Sequence, residues 1–302
     1  MRVDDNYLIR ATALEGSARA FALNSTAVVA ELQRRHETFP AATAALGRLA
    51  TGALLFGALL KEPDHLVTVR IQGGGPGGTL LASANGAGGV RGLIANPRPD
   101  IDEVRNGKLN VAGVVGAHGQ LTVTRDLGMR HPYVGTVELV SGEVGEDLAH
   151  YLAHSEQTPS AVGIGVFVDA AGKVSAAGGY MVQLLPEVSD VVAAQVEAAI
   201  RILPHPTTML RDGDSPERML GRIFGEGQYD VLARTPVQFS CPCSRDRAER
   251  ALLLLGEVPI AEMIKQAKVA GYTELSCEFC REHYAFSPAE LERLRERRAV
   301  GK

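Results

Sequence analysis

Residues 66–95 read LVTVRIQGGGPGGTLLASANGAGGVRGLIA, and this stretch decides the class of fold. Val67, Val69 and Ile71 alternate with Thr68, Arg70 and Gln72, which is the period of a strand with one face buried. A glycine-rich turn follows, then a short apolar run from Thr79 to Ala84, the hairpin signal Asn85-Gly86, and a second run from Gly89 to Ala95. Thirteen of the 33 glycines lie between Gly73 and Gly119, where tight turns need positive φ. Further short runs at Leu109 to Val115, Leu121 to Thr124 and Val134 to Val140 extend the pattern. No helix separates these runs, so they predict antiparallel sheet joined by hairpins.

Working outward, apolar residues at three and four spacing predict helices over Ser17 to His36 and Pro40 to Lys61. On the other side, a helix is expected at Gly145 to Ser155 and strands buried on both faces at Ala161 to Asp169 and Val174 to Leu185. Pro186 ends that block. Val192, Val196, Ile200 and Leu203 form one stripe on a helix from Ser189 to Leu203, after which Pro204, Pro206, Gly213 and Pro216 divide the chain into short pieces. The expectation is an α+β protein with three parts. Residues 1–186 form an antiparallel β-rich N-terminal domain with packed helices, residues 187–239 a helical linker, and residues 240–302 a small C-terminal domain that Cys241, Cys243, Cys277 and Cys280 mark as zinc-binding.

The balance of 31 basic and 35 acidic side chains gives a net charge of −4, so no positive field is present to gather nucleic acid or an anionic membrane. Pro40 to Leu60 imitates a membrane span, with Arg48 its only charge. An arginine near the centre of a span costs about 2.5–3.5 kcal/mol, and a helix buried in a core is the better reading. Met1 to Arg10 carries Asp4, Asp5 and Asn6 with no apolar segment after them, so no signal peptide is expected and the chain is placed in the cytoplasm.

Two motifs invite enzymatic readings and fail. Gly73, Gly75 and Gly78 satisfy a dinucleotide fingerprint, but the helix that would face a pyrophosphate is replaced by Thr79 to Ala84 and a hairpin. His150 and His154 are four apart on a helix and could share a metal, yet lack a third ligand in register. With no nucleophile elbow or phosphate-binding loop either, an enzyme is not expected.

All four cysteines lie in the last fifth of the chain, as Cys241-Pro242-Cys243 and Cys277-Glu278-Phe279-Cys280, with 33 residues between the pairs. In a reducing compartment such a cluster points to metal or redox chemistry before a structural disulfide. Four thiolates suit one tetrahedral zinc, and the flanks are built to hold it. Ser244 can cap a helix ending before Gly256; Ser287-Pro288-Ala289-Glu290 is a capping box; Tyr272 to Ser276 and Arg281 to Phe286 read as a hairpin. His283 is a competing ligand. Four thiolates leave no open position for catalysis, and with 11 basic and 10 acidic residues from Ser240 onward the module lacks a basic face for nucleic acid. Zinc thiolates remain open to oxidation, which would remove the ligands and unfold a module this small. A zinc-stabilised module that binds a ligand or nucleic acid without redox switching is the alternative.

Beyond the cysteines the chain resembles the redox-regulated bacterial chaperones of the heat shock protein 33 family. The resemblance rests on Leu46-Gly47-Arg48, the Gly73 to Gly78 turn, Val90-Arg91-Gly92, Pro132-Tyr133-Val134-Gly135 and residues Ser155 to Ser160. It continues through Ala177-Gly178-Gly179-Tyr180, Gln183-Leu184-Leu185-Pro186 and Phe239 to Ser244, and ends at Cys277 to Cys280. It implies that Cys241, Cys243, Cys277 and Cys280 hold one zinc ion in a reduced, inactive form. Oxidation would then join Cys241 to Cys243 and Cys277 to Cys280, release zinc and unfold the linker. The activated form, a homodimer, would hold unfolded client proteins without ATP under oxidative stress. One departure is visible: where relatives often carry an acidic run between the pairs, this chain has Lys265 and Lys268 in a longer segment.

Overall fold

The computed structural model describes residues 6–105, 107–186 and 188–300, with side chains described as far as residue 297. Residues 1–5, on which the signal-peptide expectation partly rests, and Glu187, the first residue of the expected linker, lie outside the described residues. The chain divides into two compact units between Ser240 and Cys241.

The first unit is built around one buried helix. Strands β1 (Tyr7–Ala13) and β2 (Ala18–Asn24) lead into helices α1 (Thr26–His36) and α2 (Pro40–Gly57). Every residue of α2 from Ala41 to Gly57 is buried except Arg48, which accounts for its membrane-like composition. No helix among the described residues is long and apolar enough to cross a membrane. The absence of a side chain at Gly52 of α2 permits close approach: a Cβ there would sit 2.3 Å from Leu148 Cδ1.

Helix α2 lies between two sheets. Strands β3 (Leu66–Gln72), β4 (Leu80–Asn85), β5 (Gly89–Ile94), β8 (Gln120–Asp126) and β9 (Tyr133–Glu138) make antiparallel ladders in the order β5-β4-β3-β8-β9. Between them in sequence are the short pair β6 (Val104–Arg105) and β7 (Lys108–Leu109) and the helix α3 (Val111–Val115). The second sheet contains β1, β2, β10 (Ser160–Val168) and β11 (Val174–Leu184), with α4 (Val144–His154) preceding β10. Leu46, Leu49, Leu55 and Phe56 of α2 share one core with Val67 and Val69 of β3 and with Phe21 and Met181 of the second sheet. The opposite face of that second sheet is covered by α5 (Asp190–Ile202), α6 (Pro206–Arg211) and α7 (Pro216–Phe224). There Ile9, Ala11, Ala20, Ala22 and Val182 meet Val196, Met209, Met219, Leu220 and Ile223.

Three local expectations are corrected, and a fourth is borne out. Within the expected helix from Ser17 to His36, Ala18 to Asn24 is strand, because β2 is central in its sheet and buried on both faces: Phe21 and Leu23 face one core, Ala20 and Ala22 the other. A strand buried on both faces has no period-two signature. Residues 111–115 form α3 instead of a strand, started by Asn110, whose side chain accepts from Gly113 N. The segment 187–239 is not only helical. Its last residues form β12 (Tyr229–Pro236), antiparallel to β1, and β13 (Gln238–Phe239), parallel to β5. Finally, the turn at Gly73 to Gly78 packs on backbone: Gly75 N and Gly77 N donate to Val115 O and Val114 O. Gly116 completes it at φ +79, where a Cβ would lie 2.2 Å from Gly73 O.

Candidate metal centre

The second unit is a small helical module with one hairpin: α8 (Arg245–Leu254), α9 (Glu257–Ala270), β14 (Thr273–Ser276), β15 (His283–Phe286) and α10 (Pro288–Val300). Its core is confined to a few side chains, chiefly Leu252, Ile260, Ile264, Phe286 and Leu291. Local signals place both cysteine pairs. Ser244 caps α8 by accepting from Arg247 N, so Cys243 sits one residue ahead of a fixed helix start. Ser287 and Glu290 form the reciprocal capping box, with Ser287 N donating to Glu290 Oε2 at 2.8 Å and Glu290 N to Ser287 Oγ at 3.3 Å. Gly256 caps α9 instead of merely ending α8.

Between β14 and β15, Cys277 N donates to Glu282 O and Arg281 N to Cys277 O, with Arg281 at φ +58. This tight turn aims both sulfurs of the second pair inward. All four sulfurs lie within 4.8 Å of one another. Cys241 Sγ is 3.8 Å from Cys277 Sγ, and Cys243 Sγ is 3.1 Å from Cys280 Sγ. A tetrahedron with metal–sulfur bonds of about 2.3 Å has edges of about 3.8 Å, so the donor set and its spacing fit one zinc ion. Burial pushes the Cys280 thiol up. Burial also acts to raise Cys277, but the N–H groups of Cys280 and Phe279 outweigh it and bring that thiol below its ordinary value.

One supporting residue escaped the sequence reading. Tyr284 on β15 donates its hydroxyl to Cys243 Sγ at 3.2 Å, and that bond holds the phenol well above its ordinary pKa. The signal was present: Tyr284 and Phe286 share a face of β15, turned inward, while His283 and Ala285 are exposed. His283, the competing ligand, instead bonds Glu274 and Ser276. Lys268 pairs with Glu292 at 2.8 Å. His150 and His154 pack ring on ring with centroids 4.0 Å apart, and among the described residues the only group of three or more possible metal ligands is the four cysteines.

Comparison with known proteins agrees with this geometry. A family model described as Hsp33 protein matches residues 6–287. A "33 kDa chaperonin" of Geobacillus sp. (strain WCH70) is 44% identical over 291 residues, covering 96% of this chain and 97% of its own. The "33 kDa chaperonin" of Bacillus subtilis (strain 168) is also 44% identical over 291 residues, covering 96% and 98%. Among solved structures, the crystal structure of the 33 kDa chaperonin of Thermotoga maritima superposes with a TM-score of 0.89 at 36% identity, covering 98% of this chain and 99% of that one.

Proposed function

This chain belongs to the Hsp33 family, and from that premise we propose that it is a redox-regulated, ATP-independent holdase, inactive when reduced and zinc-bound and activated by oxidation. The observation that carries the proposal is the convergence of four sulfurs within 4.8 Å in a unit with little core of its own. Cys241, Cys243, Cys277 and Cys280 would hold one zinc ion, which would keep the four sulfurs as thiolates at neutral pH and tie together segments separated by 33 residues.

The chemistry belongs to the sulfurs. One thiolate of a pair attacks peroxide, the O–O bond breaks, and hydroxide leaves to give a sulfenic acid. The second thiolate attacks that sulfur, the S–O bond breaks, and a second hydroxide leaves with the disulfide formed. Two electrons pass from sulfur to each peroxide, so two peroxides consume all four thiolates, joining Cys241 to Cys243 and Cys277 to Cys280. All four sulfurs are mutual neighbours, so proximity does not choose the pairing; pairing within each motif is what the resemblance to the family implies, and peptide mapping of the oxidised chain checks it.

Without its metal the second unit lacks the apolar burial to stay folded. The helices α5 to α7 are next, since α5 buries only Val196 while Val191 and Ile202 are 69% and 83% exposed. Their release uncovers the apolar face made by Ile9, Ala11, Ala20 and Ala22. The chain acts by binding and not by catalysis. It works in the cytoplasm as a homodimer when oxidised, in keeping with its family, and its net charge of −4 favours neither nucleic acid nor membrane.

The test follows aggregation of a thermally unfolding client with reduced protein and with peroxide-treated protein while zinc release is recorded. Protection by the oxidised form alone, in step with zinc release, is the expected result. Equal protection by both forms sinks the switch, and none by either sinks the holdase.

A further inference from the structure

Residues 229–239, which end two residues short of Cys241, occupy the outer edge of both sheets in the first unit. Strand β12 lies outside β1 and β13 lies outside β5, and among the described residues no strand pairs beyond either. The hold of β12 on β1 is mostly main chain. None of its residues is buried, and Val231 and Leu232 are 38% and 57% exposed. The register slips between Arg10 and Ala11, leaving Leu232 as an extra residue, and the strand ends on Pro236, which has no N–H to give. Strand β1 is the opposite: Leu8, Ile9, Ala11 and Ala13 are buried, and β2 locks its other side.

We propose that the outer edge of β1 is a docking site for an extended segment of an unfolded polypeptide, which replaces β12 and pairs antiparallel with Tyr7–Ala13. The inference rests on the holdase reading and names the contact that a client makes. The occupant in this structure is the chain's own strand, held in the geometry that a client would adopt. An open edge offers a row of main-chain donors and acceptors that any extended sequence can satisfy. That suits partners sharing no sequence, and a rigid β1 leaves the ordering cost to the client alone.

Displacement has a defined route. The strand next to the first cysteine, β13, is two residues long and is anchored by Phe239 under the Arg35 guanidinium and by Ser240 N donating to Val90 O. Further in, one carboxylate ties three elements: Glu217 on α7 accepts from Tyr7 Oη of β1 at 2.7 Å and pairs with Arg234 of β12 at 2.8 Å. Loss of α7 therefore loosens β12 and bares Ile9 and Ala11 beside the edge.

Amide hydrogen exchange on the full chain tests this in three states: reduced with zinc, oxidised by peroxide, and oxidised with reduced carboxymethylated α-lactalbumin, a permanently unfolded probe. The amides of Leu8 to Thr12 that face β12 should be protected in the first state, exchange at least about tenfold faster in the second, and regain protection in the third. Amides of β2 should stay protected throughout. Persistent protection of β1 after oxidation, loss of protection in β2 as well, or no recovery with bound probe each overturns the proposal. An oxidised chain that binds no probe at all overturns the holdase reading instead. Glu217→Gln should raise exchange at the same β1 amides in the reduced chain, and unchanged exchange there would remove the latch from the route.

Discussion

The hydroxyl of Tyr284 donates to the sulfur of Cys243 across 3.2 Å, linking the hairpin that carries the second cysteine pair to a member of the first. A donor to a thiolate draws off electron density, making the sulfur a poorer nucleophile while orienting it as a ligand. Tyr284→Phe should weaken zinc binding about tenfold and speed oxidation by peroxide. Competition with a chromogenic chelator and the rate of thiol loss read the two effects; no change in either removes Tyr284 from the site.

Metal content is the next expectation. The reduced chain should carry one zinc ion, and Cys280→Ala should lose it. Chelation should melt the second unit while leaving the first folded, because structural zinc contributes about 10–16 kcal/mol in small modules. Circular dichroism at the helix band with and without chelator checks this. Replacing both His150 and His154 by Ala should leave zinc stoichiometry unchanged.

The latch at Glu217 predicts a pH dependence. Burial acts to raise its pKa, but the Tyr7 hydroxyl, its own backbone, Ser215 and Arg234 together hold it below the ordinary carboxylate value of 4.5. A carboxylate depressed in the folded state contributes stability that is present above the unfolded value and lost as pH falls through the folded one. Docking of α7 should therefore weaken only below about pH 4.5 and be level from there to neutrality. Glu217→Gln should abolish that acid step and cost about 1–2 kcal/mol at neutral pH, read by thermal unfolding of the first unit.

A fourth expectation concerns the glycine turn. At Gly116 the positive φ of +79 and the contact a Cβ would make with Gly73 O leave no room for alanine. Gly116→Ala should destabilise the first unit by about 2–4 kcal/mol without altering zinc content. An unchanged melting temperature would show that the turn can open without cost.

Legibility in the sequence followed how local each signal was. The cysteine spacing, the Ser244 cap, the Ser287–Glu290 box and the hairpin around Cys277 were all readable because each is settled within a few residues. Elements decided by distant partners were not. Strand β2 carries no alternation because cores press on both its faces, and α3 hides its start behind β-branched valines. Strand β12 hides for the opposite reason: it buries no side chain, and only its pairing with β1, more than two hundred residues earlier, makes it a strand. Tyr284 was within reach of the period of its hairpin but needed the first cysteine pair folded against it.

The cap at Ser244 follows Cys243 directly, so a proposed metal ligand and the start of α8 are adjacent links of the chain. A helix of ten residues relaxes in about a microsecond or less once its start is freed. Bond formation between thiols takes seconds or longer. On the proposed redox reading, sulfur chemistry and not the fraying of α8 would then set the response time. On that reading such a device would integrate exposure: the fraction switched at any moment would report the accumulated dose of peroxide instead of its instantaneous concentration.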